Sequence, residues 1–228
     1  MDDFRRGALA TLPLVPGVAA FGLLYGVMAR QVGFSPRETL AMSLIVFAGS
    51  AQFTALGMWG AAGAAPIILT TLTLNLRHLL MGASVAPYLR DVRPLWKAFL
   101  PLWMSDESYA LAIAEYERGT GSHWYFLGAN VGVYITWPLS GLLGALLGEA
   151  IPDPAAYGLD LVFPLAFMGL LMAFLTNRAS LAAAFAAGVL AVLGVYLLPG
   201  KWYVIVAGLL GSGIGVVVEE VGRAWRSS

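Results

Sequence analysis

Three short polar clusters interrupt an otherwise apolar chain, and each holds groups able to do chemistry. The first is Asn75-Leu76-Arg77-His78. On a helix Asn75 and His78, three apart, share a face, and Arg77 is turned away from them by about 100° per residue. A guanidinium there can grip a carboxylate through two parallel hydrogen bonds or anchor a neighbouring helix. Nearer a membrane surface, Arg77 and His78 would instead snorkel to headgroups. The second cluster is Ser105-Asp106-Glu107-Ser108-Tyr109. Adjacent carboxylates in an apolar setting suit a proton carrier, since burial and like charge both oppose full ionisation. The same run also reads as a surface helix cap led by Ser105. The third cluster is Ser50 with Gln52, inside Phe47-Ala48-Gly49-Ser50-Ala51-Gln52-Phe53. A hydroxyl and an amide there can orient a ligand while Phe47 and Phe53 wall an apolar pocket, unless the two rings are plain lipid-facing bulk. Asn130 and Trp137 are weaker candidates, and Asn130 reads equally as a hydrogen bond between helices.

The elements that must position these residues follow from composition. Of the 228 residues 59% are hydrophobic and 11% charged, against about 25% charged in an ordinary soluble domain. There is too little charge to coat a water-soluble surface, and a mean hydropathy of +0.78 calls for the bilayer as solvent. Thirteen basic and thirteen acidic side chains cancel, which leaves no electrostatic footprint for nucleic acid. The absence of cysteine removes thiolate metal sites and a cysteine nucleophile. No cofactor or metal pattern is present either: there is no Walker-type phosphate loop and no H-E-x-x-H.

Runs free of Asp, Glu, Lys and Arg mark the membrane segments, each needing about 20 residues. Ala8 to Ala29 is the first. Thr39 to Leu76 is long enough to cross twice, turning near Gly60 to Ala65, and the third segment continues through Arg77 and His78 to about Pro87. The fourth, Ala98 to Ala114, carries Asp106 and Glu107 near its middle, so it either spans with buried acids or dips in and out. Trp124 to Gly148, Leu161 to Asn177, Ala179 to Gly200 and Trp202 to Val218 follow. Continuous apolar runs exclude the alternation of a β-barrel. The expected fold is an all-α polytopic bundle of seven or eight transmembrane segments with interrupted helices, a single integral membrane domain over residues 1–228. The polar start and the early Pro13, Pro16 and Gly17 fit a first span rather than a cleaved signal. With eight straight spans, six cations fall on each side of the membrane, so charge does not orient the chain.

Glycine sets such as Gly141-x-x-Gly144-x-x-x-Gly148 read as close helix packing. Pro16 with Gly17, and Gly49 with Ser50, read also as helix breaks. A break inside the membrane is tolerated only where protein or a watery cavity satisfies the freed backbone groups. Such breaks hold the carboxylate and ammonium of a zwitterion in transporters.

Taken together, the Phe47 to Phe53 motif, Asn75-Leu76-Arg77-His78-Leu79-Leu80-Met81, Asp106-Glu107-Ser108-Tyr109 and Pro16-Gly17-x-x-x-Phe21-Gly22 resemble the AzlC family. The resemblance implies the large subunit of a bacterial two-component exporter of branched-chain amino acids, often with methionine. It also implies a plasma-membrane location, a small hydrophobic AzlD-type partner and an ion gradient as the energy source. On that reading Phe47, Gly49, Ser50, Gln52, Phe53, Asn75 and Arg77 are expected to bind substrate, and His78, Asp106 and Glu107 to carry the coupling proton. An intramembrane hydrolase using Ser50 or Ser84 with His78 is disfavoured, because no G-x-S-x-G elbow is present. A polytopic bundle of this kind would also serve as a channel or as a non-transporting scaffold.

Overall fold

The computed structural model describes residues 2–149, 165, 168–169, 171–172, 175–198 and 202–227. Among these every regular element is helical. In chain order the helices are α1 (Asp2–Ala10), α2 (Val15–Gln31), α3 (Pro36–Ile45), α4 (Gly49–Met58), α5 (Ala64–Val85), α6 (Pro94–Leu102), α7 (Asp106–Glu117), α8 (His123–Glu149), α9 (Arg178–Leu197) and α10 (Trp202–Ser227). A 3-10 turn, Ala86–Leu89, prolongs α5. Two compact units divide the chain: Met1–Leu56 with Leu72–Tyr157, and Gly57–Thr71 with Gly158–Ser228. Large apolar side chains stand exposed along the long helices, among them Leu79, Leu80, Leu143, Phe185 and Tyr196, as expected where lipid is the solvent.

Among the described residues four helical stretches are long and apolar enough to cross a membrane: Ala64–Leu89, His123–Gly148, Arg178–Leu197 and Trp202–Gly222. The pair α1 and α2, bent by 62°, makes a fifth if counted as one span. Among the described residues the expected count of seven or eight full spans is not confirmed. Two of them are pairs of short helices instead, α3 with α4 and α6 with α7. Another, Leu161 to Asn177, lies largely outside the described residues.

The local causes of the breaks are visible. Between α6 and α7, Pro101 removes one backbone donor from the last turn of α6. Ser105 then adopts an extended conformation and accepts from the Ser108 N–H, while the Ser108 hydroxyl binds the Ser105 N–H. That reciprocal cap starts a new helix rather than continuing the old one. Asp106 and Glu107 thus form the first turn of α7, not the middle of a continuous span, and there they complement the helix dipole. Ser105→Ala is expected to cost about 1 kcal/mol of stability, read as a lower midpoint in detergent thermal unfolding. At the other end of the first unit, the break between α1 and α2 falls just upstream of Pro16, which sits in the first turn of α2 where its missing N–H is harmless.

Helix α8 is the axis of the first unit. Helices α1 and α2 run along it in the same direction at backbone contact: a Cβ at Gly7 would land on the Tyr125 carbonyl, one at Gly22 on Ser140, and one at Gly26 on the Gly141 carbonyl. Helix α6 also climbs α8, with Trp96 against Trp124 (5.3 Å), the Leu100 carbonyl accepting from the Asn130 amide (2.9 Å) and Trp103 stacked on Tyr134 (4.8 Å). Helix α7 returns, so that Glu115 meets Arg6 near the foot of α8. In the second unit α9 and α10 pack through Gly194 on Tyr203 and through Gly211 and Gly215 on Ala187 and Ala183.

Candidate functional site

Arg77 lies close to the middle of the Ala64–Leu89 stretch, about 18 Å of helix from either end at 1.5 Å per residue. A lone guanidinium at that depth costs about 3 kcal/mol on insertion scales, so partners are required. Two are present, on two different short helices. Arg77 Nη1 pairs with Asp106 Oδ2 at 2.9 Å, and Nη2 donates to Ser50 Oγ at 2.8 Å. Asp106 opens α7, and Ser50 is the second residue of α4. The arginine therefore ties together two helix N-termini, where unpaired backbone N–H groups and the dipole favour an anion. Among the described residues Arg77 Nε and Asn75 Oδ1 are buried without a hydrogen-bond partner.

Behind this junction runs a second polar string. Trp137 Nε1 donates to Gln52 Oε1 at 2.7 Å, and Gln52 Nε2 donates to Ser43 Oγ at 3.3 Å. Gln52 is fully enclosed, and both ends of its amide are satisfied, as a buried amide requires. Around it Phe53 meets Phe21, Tyr25 and Trp137 edge-on, with centroids 6.1 to 6.5 Å apart, and Tyr25 stacks on Trp137 at 6.0 Å. A Cβ at Gly49 would strike the Trp137 ring, so glycine permits that approach.

The sequence candidates thus fall into distinct places. Ser50, Arg77 and Asp106 are brought into contact. Asn75 and His78 flank Arg77 on α5, and Glu107 is beside Asp106 in the same first turn. Phe47 and Phe53 have different ring neighbours. Phe53 belongs to the Tyr25 and Trp137 cluster, whereas Phe47 lies on Tyr134 at 4.8 Å. Their separation follows from the geometry of the break: Phe47 precedes the first turn of α4 and Phe53 lies inside it. Gly17 faces open space in the first turn of α2. Asn130 bridges two helices through Leu100, and Ser84 shares a hydrogen bond with the Tyr109 hydroxyl at 2.9 Å. Four residues beyond the sequence candidates contribute: Tyr25, Ser43, Trp103 and Tyr134. Ser43 and Trp103 lie within a few positions of a break, whereas Tyr134 sits in the middle of α8 with no sequence signal of its own. An open groove of about 860 Å³ in the second unit, lined by Asn177, Arg178, Val218 and Glu219, contains none of these residues.

The family model described as AzlC protein matches residues 13–151, which include every residue of this site. The chain belongs to the AzlC family. An uncharacterized membrane protein of Archaeoglobus fulgidus is 32% identical over 180 residues, 77% of each chain. The inner membrane protein YgaZ of Escherichia coli is 29% identical over 235 residues, covering 99% of this chain and 93% of its own. The branched-chain amino acid transport protein AzlC of Bacillus subtilis is 28% identical over 167 residues, 72% of this chain and 65% of its own. No solved structure matches the chain. Helices long and apolar enough to span and relatives described as membrane proteins make this AzlC-family chain a multi-pass membrane protein.

Proposed function

We propose that this AzlC-family chain is the large subunit of a secondary active exporter of branched-chain amino acids, with methionine as a further substrate. It works by alternating access, beside a small hydrophobic AzlD-type subunit, and exchanges substrate for protons. The observation that supports this reading most is the junction of Arg77 with Asp106 and Ser50 at the middle of α5.

A zwitterionic amino acid is matched to that junction. Its carboxylate replaces Asp106 on the guanidinium while its ammonium group takes Asp106, so each charge keeps a partner and none is stranded in lipid. The N-termini of α4 and α7 add backbone donors for the carboxylate, and the ends of α3 and α6 offer carbonyls for the ammonium. Ser50 and Asn75 orient the head group, and Phe47 gives the aliphatic side chain an apolar surface. The enclosed Gln52 and Phe53 shape the site from behind.

Proton coupling follows from competition for one carboxylate. A proton on Asp106 removes the partner of the ammonium group and weakens the grip on substrate, so proton entry and substrate exit alternate. His78 and Glu107, adjacent to Arg77 and Asp106, pass the proton to water.

The test is efflux of radiolabelled leucine and methionine from proteoliposomes holding both subunits. Uphill efflux should stop when an uncoupler collapses the proton gradient. Asp106→Asn, similar in shape and unable to ionise, should lower uphill efflux by at least about ten-fold at equal membrane abundance. Unchanged efflux in that variant removes the role of Asp106. Flux that is only downhill and indifferent to the uncoupler identifies a channel, and no flux identifies a scaffold.

A further inference from the structure

The contacts of the two broken helix pairs along α8 determine the direction in which each pair runs. Helix α6 rises from Trp124 past Asn130 to Tyr134, and α7 falls back until Glu115 meets Arg6. Both outer ends of this pair lie at the N-terminal end of α8, and its tip lies halfway along. The α3–α4 pair does the reverse. The Phe34 carbonyl accepts from Arg30, whose side chain packs near Gly148 at the C-terminal end of α8. Ser43 then lies beside Gly141, and the Leu44 carbonyl accepts from the Tyr134 hydroxyl at 3.1 Å. Past the break, Gln52 turns back onto Ser43 and Phe53 onto Tyr25, whose hydroxyl binds the Thr39 carbonyl.

The lengths agree with this course. Legs of 9 to 12 residues extend about 14 to 18 Å, half of a hydrocarbon core about 30 Å thick. The tips meet at Tyr134, close to the middle of the His123–Gly148 stretch, and are joined again by Arg77, close to the middle of Ala64–Leu89. Two separate helices thus place the meeting point at the same depth.

Charge then assigns the faces. At the N-terminal end of α8 lie Arg5, Arg6, Arg90, Arg93, Lys97 and Arg118, while Arg30 and Arg37 lie at the other end. Within the first unit, six cations against two place the N-terminal end of α8 in the cytoplasm under the positive-inside rule.

We propose that α3–α4 and α6–α7 are re-entrant hairpins entering from opposite faces of the membrane, that they are the outer and the cytoplasmic gate of the transport site, and that Tyr134 is the positioning residue that latches both. The latch is double. The Tyr134 hydroxyl holds an end carbonyl of α3, and its ring lies between Phe47 of one tip and Trp103 of the other, parallel to Trp103 within 8°. Ser50, Arg77 and Asp106 form the second tie between the same tips. A substrate inserting between Arg77 and Asp106 from the cytoplasm loosens the α6–α7 tip alone, because Asp106 is on that hairpin. The gating half rests on the transport reading; the topology does not.

The chain has no cysteine, so single cysteines report without background. With a membrane-impermeant maleimide on the full chain in cells and in inverted vesicles, Arg93→Cys and Glu117→Cys should label from the same, cytoplasmic face, and Arg37→Cys from the outer face. All three positions are accessible at the surface of the chain. Labelling of Arg93→Cys and Glu117→Cys from opposite faces would make α6–α7 a single span and overturn the proposal. At the tips, Ala48→Cys should label slowly from outside and Met104→Cys slowly from inside. Tyr134→Phe, which loses the Leu44 bond and keeps the ring, should raise the Ala48→Cys rate by about five-fold and leave Met104→Cys unchanged. An equal rise at both tips, or none, removes the latch. Saturating leucine should raise the Met104→Cys rate; correct faces with no response to leucine, methionine or related amino acids would leave the hairpins standing and sink the transport reading alone.

Discussion

Arg77→Ala is expected to lower uphill leucine efflux by at least about ten-fold, because it removes the cationic partner of a half-exposed ion pair. The reason is that the guanidinium does two things at once in this AzlC-family chain. It neutralises Asp106, and it joins the N-terminus of α7 to that of α4 through Ser50. Without it the Asp106 carboxylate has lost its ion-pair partner, and the substrate carboxylate has lost its cation. Arg77→Lys separates the two effects: it keeps the charge, but a single ammonium group lacks the planar fork that reaches Ser50 and Asp106 from different nitrogens. Efflux through Arg77→Lys should fall between wild type and Arg77→Ala. The double variant Arg77→Ala with Asp106→Ala, which removes both charges, should recover membrane abundance but not transport. Wild-type efflux from Arg77→Ala would remove the site.

The second large effect concerns stability. Gly26→Val should deplete the folded protein from detergent extracts, at a cost of about 3 kcal/mol, because a side chain there meets the Gly141 carbonyl and the backbone of Gly144 and Ala145. Backbone cannot rotate aside as a side chain can, so α2 and α8 must separate along their whole contact. Gly17 in the same helix faces open space, and Gly17→Ala should be neutral or stabilising by about 0.5 kcal/mol. Fluorescence-detected size exclusion after a heating series reads both variants. Equal behaviour of the two would mean that α2 does not lie against α8 as described.

The site is legible in the sequence as three polar clusters but not as one place. Arg77 and Asp106 stand out separately because ionisable groups are rare in apolar runs. Nothing in their spacing says that residues on α5 and α7 touch. Ser105 is legible as a cap, since a hydroxyl followed by acids is a local signal, and that cap fixes the position of Asp106. Trp103 and Tyr134 are not legible, because an aromatic residue in an apolar run reads as lipid-facing bulk until its neighbours are known.

By itself the sequence determined the solvent of this protein, its helical class and the short set of polar groups that must be satisfied. These are local or additive properties: transfer of side chains to lipid, capping by Ser105, the missing donor of Pro101. The tertiary structure alone decided whether the chain, after each break, goes on across the membrane or turns back. Hydropathy is the same for both courses, since a short apolar helix loses the same water either way. The choice is made by contacts between distant residues, Gln52 with Ser43, Asn130 with Leu100, and Arg77 with Asp106, and those contacts exist only once the helices have packed.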